Sequence, residues 1–412
     1  MKTFFFIIAT LCMTASFASS ANERPWHING FGSLGITHHT QDGVGYRRNL
    51  EQARYARSGH LNTNTDSNLG LQIGYEAHPK LYFMAQSVLR LDDKGRWAPM
   101  IPFAFTKYQF DNSHELRLGR LSLDIYTDGD SRHLGYAYTS IRPSPDIYGQ
   151  IMYDHFDGFD YVIPLSINDF IFKTKVYAGR VRGNYFLQDR SFSAGKGYVY
   201  GATFDWSSAD VSMRFAIGQI HRRNANDYEN TANDLRALGR LPFPGLSAAT
   251  GYADELERNS KISFLGIGGK WDKGPYSHTF IATKFNYSTF PSNDGWAAML
   301  ESSYRVGQFK PYVGFSYINI TPKDKPLSFP SGPGLPDLSQ AETTYTLATR
   351  YLATDKKTLT LGLRYDVTPS AALKFQFDRI EADKSALLKD FDTPLLRNKN
   401  LNLYSLSLDY IF

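Results

Sequence analysis

The chain is short of several things that other architectures need. Cys12 is its only cysteine. It lies in a segment expected to be removed, so neither a disulfide framework nor thiolate chemistry is open to the remainder. Past that segment no run of eighteen or more apolar residues occurs, which excludes a membrane-spanning helix. Charge is nearly balanced: 45 Lys and Arg against 40 Asp and Glu give +5 over 412 residues. So mild a surplus carries no nucleic-acid footprint. Nothing reads as a linker between unlike halves, although this length would ordinarily suggest two or three soluble domains.

The expected leader is MKTFFFIIATLCMTASFASSA, with Lys2, an apolar run from Phe4 to Met13, and small residues leading to Ala18 and Ala21. This order of flanks reads as a secretory signal over residues 1–21, cleaved after Ala18 or Ala21. Residues 22–412 then form one exported domain. Cys12 lacks the Leu-Ala-Gly-type approach of a lipoprotein site.

What the chain has in excess is aromatic residues, 15% of the total with 27 Tyr and 29 Phe, and alternation with period two. Leu406, Leu408, Tyr410 and Phe412 alternate with Ser405, Ser407 and Asp409, and Trp26, Ile28, Leu34 and Ile36 share one parity. The same pattern recurs at Leu69 to Tyr75, Phe159 to Leu165, Tyr198 to Trp206 and Val211 to Ile217. Successive side chains on a strand point to opposite faces, so each of these strands has one greasy and one polar side. A soluble sandwich and a membrane barrel both meet that condition.

Loop lengths separate the two. Tight turns at His78, Asn112, Asn168, Ser208, Lys273, Gln308 and Pro369 alternate with long polar loops such as 39–66, 127–156, 184–197, 222–259, 321–358 and 381–399. Every hairpin then has its long end on the same side. The fold expected is all-β, a transmembrane antiparallel barrel of about sixteen strands with short periplasmic turns and long outer loops, its aromatics in girdles at the two interfaces. Sixteen starts are assigned, from Trp26 to Asn400. TTYTLATRYLATD, Thr343 to Asp355, is read as part of a loop, either a short helix or an extension of the following strand.

The stretch ELRLGRLSLDIYTDGDSRHLGYAYTSIRPSPDIYG (Glu115 to Gly149), followed by DGFDY (Asp157 to Tyr161) and LGLRYDVTPSAALKFQFDR (Leu361 to Arg379), resembles the Gram-negative porin-like outer-membrane proteins of the general porin superfamily. The resemblance implies a sixteen-stranded barrel, often trimeric, whose third loop folds into the lumen and narrows it. Here Pro143-Ser144-Pro145 stands where two adjacent prolines are common.

The loop itself supports that role. Around residues 125–156 it carries Asp124, Asp128, Asp130, Arg132, Arg142, Asp146 and Tyr148, with prolines and apolar residues that argue for order. These are the candidate constriction residues. Arg117, Arg214 and Arg364 fall on the polar parity of their strands and are expected to face the lumen, since a charge on the lipid face at mid-membrane costs about 2–4 kcal/mol. For each one, cross-strand pairing with an inward carboxylate is an equal alternative.

Other chemistries find little footing. The histidines are scattered outside any nucleophile motif, two adjacent imidazoles at His38 and His39 point to opposite faces, and GFGSLG (Gly30 to Gly35) sits in a strand with no crossover helix. No enzyme activity, metal or cofactor is expected. The function expected is a passive channel for small hydrophilic solutes or ions. The alternative is a non-conducting barrel that acts as scaffold or sheath for a partner protein. Expected partners are outer-membrane lipid, the barrel-assembly machinery, further copies in a homotrimer and the solutes themselves, with no nucleic acid. Tyr410 and Phe412 resemble the C-terminal assembly signal of outer-membrane proteins.

Overall fold

The computed structural model describes residues 25–123, 125–150, 152–187, 190–223, 228–257, 260–288, 293–323, 327–332, 337–393 and 396–412. The expected signal segment and its cleavage positions lie outside the described residues, as does Asp124.

Nineteen strands are present among the described residues. In chain order they are Trp26–His39 (β1), Val44–Tyr46 (β2), Ala56–Arg57 (β3), Asn68–His78 (β4), Leu81–Leu91 (β5), Trp97–Gln109 (β6), Glu115–Ser122 (β7), His155–Ile167 (β8), Phe170–Leu187 (β9) and Arg190–Ser207 (β10). Then follow Val211–Arg223 (β11), Lys261–Lys273 (β12), Tyr276–Tyr287 (β13), Asn293–Tyr304 (β14), Phe309–Pro322 (β15), Thr354–Thr368 (β16), Ala371–Lys384 (β17), Leu388–Asp390 (β18) and Lys399–Ile411 (β19). Sixteen of them close into one barrel, each paired with its sequence neighbours, and β1 closes on β19. Closure removes both edges, so the backbone groups of every wall strand have a ladder partner where no water is available to replace one.

The period-two alternation decides which way each side chain points. Leu34 pairs with Leu408 and Ile36 with Leu406 on the outside, while Ser33 pairs with Asp409 and Thr37 with Ser405 on the inside. The four outward residues are 38–52% exposed, whereas the four inward ones are buried. Aromatic residues collect at two heights. At the end of the short turns lie Trp26 on Tyr75, Phe170 on Trp206, Tyr276 on Tyr304 and Phe309 on Tyr365. Toward the other end lie Trp296 on Tyr317 and Phe377 on Tyr404. Two aromatic rings flanking an apolar belt are the surface of a barrel in lipid.

The turn chemistry is local. Asn168 and Gly274 take positive φ, at 52° and 58°, in two-residue connections between antiparallel strands, and Gly307, at 58°, does so in the four-residue connection from β14 to β15. At the opposite end, the loop after β1 and the loop after β17 contribute β2, β3 and β18 to a small separate sheet. The 222–259 loop folds as two helices, Glu229–Gly239 and Ala248–Leu256, which share an apolar core with a third helix, Ser339–Arg350. The doubtful Thr343 to Asp355 stretch is therefore mostly helix, and β16 starts at its end, at Thr354.

Two expectations need adjusting. Residues 190–197 are strand, because β9 and β10 keep pairing past Tyr198 as a long hairpin, up to Arg190 opposite Leu187. The alternation of short and long connections is also less strict than expected, since β5 and β6 are joined by the five residues from Asp92 to Arg96. A tight hydrogen-bonded turn, with the Asp92 carboxylate accepting from the Lys94 and Arg96 amides, closes that connection.

Candidate functional site

The loop between β7 and β8 runs inside the barrel. It leaves the wall after Leu123, meets β11 and β13 at Tyr126, and descends to two short turns, Gly129–Ser131 and Gly135–Ala137. It then climbs to a single helical turn, Pro145–Tyr148 (α1), and returns to β8. Specific polar groups of the wall hold it at several points along this path, and Ile125, Tyr126, Ile147 and Met152 also share an apolar cluster with the wall residues Phe264, Ile281 and Ile318.

At its near crossing, Arg214 on β11 is held by Asp205, with Nη2 to Oδ2 at 3.0 Å, and donates Nη1 to the Tyr126 carbonyl at 3.0 Å. Lys270 on β12 makes an ion pair with Asp128. At the lowest point Arg364 on β16 donates to the Tyr136 and Tyr138 carbonyls at 2.7 and 2.8 Å, with its guanidinium over the Tyr136 ring. Lys374 on β17, fully buried, bonds the Gly135 and Ser140 carbonyls and pairs with Asp409 at 2.8 Å. Gly135 is required here, because a Cβ would lie 2.5 Å from Ser33 Oγ and 2.6 Å from an Asp409 oxygen.

The climbing half is fastened by the two loop residues with the strongest charge partners. Arg142 is 2% exposed. It grips Asp66 through Nε and Nη2, both at 2.7 Å, reaches Asp378 at 3.1 Å and Ser405 at 2.5 Å. Asp146 is 1% exposed and accepts from Ser316 at 2.6 Å and Thr358 at 2.9 Å while pairing with Lys356 at 2.5 Å. Burial pushes the Asp66 carboxyl up, but the charge and hydrogen bonds of Arg142, with Arg48 behind it, outweigh that and hold it below the usual carboxylate range. Burial likewise opposes the Arg142 charge, and Asp66 and its neighbours more than restore it.

The remaining sequence candidates fall into place around these. Arg132 donates to the Asp154 carbonyl at 2.5 Å. Tyr148 donates to the Thr127 carbonyl and packs edge-on against Tyr126, tying the two crossings of the loop together. Asp130 is exposed. Arg117 faces the lumen in a bidentate pair with Asp160, with Nε to Oδ1 at 2.8 Å, and lies over the Phe105 ring. Thus Arg117, Arg214 and Arg364 all point inward, and all three are paired with a carboxylate. Two of them also hold the loop.

The charges that border open space are mostly others. A recess of about 200 Å³ separates the loop from the wall of β12 to β15. Asp128, Tyr138, Ser140 and Tyr148 line the loop side, and Lys270, Asp272, Glu301 and Lys310 line the wall side. Sequence reasoning did not single out these four wall residues. Their parity was the available signal: each sits on the polar face of a strand whose opposite face carries Trp271, Leu300 or Phe309.

His133 stands apart on the same loop. It is 6% exposed, and neither ring nitrogen has a hydrogen-bond partner among the described residues. Burial lowers its pKa well below the ordinary value, and the charges of Arg90 and Arg132 push in the same direction. Asp154 beside it goes the other way. Burial would raise it, but the hydrogen bond from His155 and the charges of Arg132 and Arg90 keep it ionised.

A closed sixteen-strand barrel with an apolar belt and an inward loop is compared most directly with solved structures. OmpT of Vibrio cholerae, expressed in the outer membrane, superposes with a TM-score of 0.52 over 96% of this chain and 100% of its own, at 12% identity. Salmonella typhi OmpF, solved with daunomycin, gives 0.54 over 94% and 97% at 11% identity. The chain folds like the porin-like outer-membrane barrels. The outer membrane channel DcaP of Acinetobacter baumannii gives 0.53 over 96% of this chain and 100% of that one, at 10% identity. No protein-family model matches the sequence, and no curated protein does either. The porin-like likeness is therefore one of backbone, reached with a largely different set of side chains.

Proposed function

We propose that this barrel lies in the outer membrane of a Gram-negative bacterium and is a channel for passive diffusion of small hydrophilic solutes or ions. The observation that carries the reading is the inward loop, fastened at Tyr126, Gly135, Arg142 and Asp146, beside a recess bordered by Asp128, Lys270, Asp272, Glu301 and Lys310. A constriction held by buried ion pairs keeps its shape as solute passes, and mixed charges across a short gap sort solutes by size and charge. The reading is of a non-enzymatic barrel without a cofactor. Its outward face on β1, β4 and β5 carries no Lys, Arg, Asp or Glu, from Trp26 to His38, Leu69 to Tyr75 and Leu81 to Leu89, which suits packing against further copies in a homotrimer. Tyr410 and Phe412 would serve the barrel-assembly machinery. Phe412 is well placed to be exposed during assembly, as its ring lies beside Tyr410 and over Gly30 at the outer seam.

Conductance of the purified protein across a planar bilayer tests the reading. Stable ohmic steps are expected. A complete absence of conductance from correctly folded protein would favour the alternative of a sheath around a partner.

A further inference from the structure

The outer surface of the barrel is not uniform at the height where lipid headgroups lie. On β7 to β11 the outward positions at that level are Arg120, Asp157, Arg180, Arg182, Lys196 and Arg223, in register with one another: Arg120 opposite Asp157, Asp157 opposite Arg180, Arg182 opposite Lys196, and Lys196 opposite Arg223. That places five cations with one carboxylate on adjacent strands. The carboxylate is already taken by Arg120, at 2.8 Å. Arg180, Arg182 and Lys196 are exposed and have no ion pair among the described residues. Arg223 lies 5.6 Å over the Tyr198 ring.

The height follows from the register. Trp206 stands in the lower aromatic ring and Tyr198, opposite Arg180, lies eight residues before it on β10, toward the long loops. At about 3.3 Å per residue and a tilt near 40° this is roughly 20 Å along the membrane normal. Leu118, Phe159, Val176 and Phe204, all exposed, fill the interval below. The cations therefore begin where the apolar belt stops, on the side of the long loops. The far side of the barrel differs: there Lys357 is paired with Glu381 at 3.0 Å, and Arg379 bonds Asn402 at 2.9 Å.

One carboxylate, Asp157, faces several of these cations at once, Arg120, Arg180 and Arg182 among them, so positive charge is left in surplus at headgroup height. We propose that the β7 to β11 face binds phosphate groups of lipids in the outward leaflet, with Arg180, Arg182 and Lys196 as the main donors and Arg223 at their flank. Guanidinium groups suit this ligand because their planar fork matches phosphate oxygens, and the Tyr198 and Tyr200 rings beside them offer apolar contact to the start of the acyl chains.

The test reconstitutes the whole protein in phosphatidylcholine vesicles carrying traces of spin-labelled phosphatidic acid or spin-labelled phosphatidylcholine, and reads the motionally restricted fraction. Wild-type protein is expected to prefer the phosphatidic acid about fivefold, and to lose the preference at about 0.5 M salt. The R180Q/R182Q/K196Q variant should lose most of it, and K357Q/R379Q, on the far side, should keep it. The proposal is overturned by wild-type protein that shows no preference, or by the triple variant retaining it. Millimolar inorganic phosphate abolishing the preference would also overturn it, by assigning the cations to free anions. So would a triple variant that changes oligomeric size with its lipid preference intact, because the face would then belong to a second copy of the chain.

Discussion

Two stretches of the inner wall look alike in sequence and behave differently. On β16, β17 and β19 the inward Lys356, Lys374, Asp378 and Asp409 are all buried, each paired with the loop or with another wall charge. On β12, β14 and β15 the inward Lys270, Asp272, Glu301 and Lys310 border the recess. Both sets sit on the polar parity of their strands for the same reason, the cost of a charge in lipid. The difference is where the loop lands. On the first wall every one of these charges is spent on holding a shape, whereas on the second Lys270 alone is ion-paired to the loop, through Asp128, and Asp272, Glu301 and Lys310 still border the recess.

The contrast can be broken most forcefully at Arg142. The R142A change leaves Asp66 and Asp378 buried without their shared cation, at a cost of about 3–5 kcal/mol to the fastened loop. Protease cleavage within residues 128–149 and a larger single-channel conductance should both appear; an intact loop with wild-type conductance would show that Arg142 does not hold it. Next in size, K374M alone should lower the unfolding midpoint more than K374M with D409L, since the double change removes both buried charges. Equal midpoints would mean that the pair is not isolated from water.

On the open wall the expected effects move from stability to selectivity. E301Q should shift the reversal potential in a salt gradient toward anions and K310Q toward cations, each by about twofold in permeability ratio, with the unfolding midpoint little changed. If neither shifts it, the permeation path avoids this recess. The smallest effect is expected at His133. Its folded pKa lies below the ordinary 6.5, so above that pH both folded and unfolded states are neutral there and nothing changes. As pH falls below about 6.5 only the unfolded chain takes the proton, and stability declines. Thermal midpoints at pH 7.5 and 5.5 should differ more for wild type than for H133F; an equal difference would put the acid sensitivity elsewhere.

Much of the barrel is legible without coordinates. Sixteen strands were expected, and most observed starts fall within about three residues of the expected ones. The exceptions are β10, which begins eight residues early, at Arg190, and β16, which begins four early, at Thr354. The β10 start was missed because Ser191, Ser193, Lys196 and the intervening glycines look like loop residues, and only pairing with β9 makes them strand. The candidate residues of the loop were visible as an unusual density of Asp, Arg and Pro. Their roles were not. Arg142 and Asp146 were read as constriction charges and not as anchors, because their partners lie far away in the chain: Asp66 is 76 residues before Arg142 and Ser405 is 263 after it.

By itself, then, the sequence determined for most strands which side meets lipid and which meets the lumen, while Lys80 to Arg90, Met100 to Phe110, Phe170 to Gly183 and Tyr276 to Ser288 read ambiguously until paired. That information is local, repeated every second residue, and enforced by the large free-energy difference between a charge in water and one in hydrocarbon. Tertiary structure alone decided which inward charges are consumed. A polar side chain inside the barrel satisfies the alternation equally well against water, a neighbouring strand or the loop, and the choice rests on the path of a loop whose contacts join residues more than two hundred positions apart.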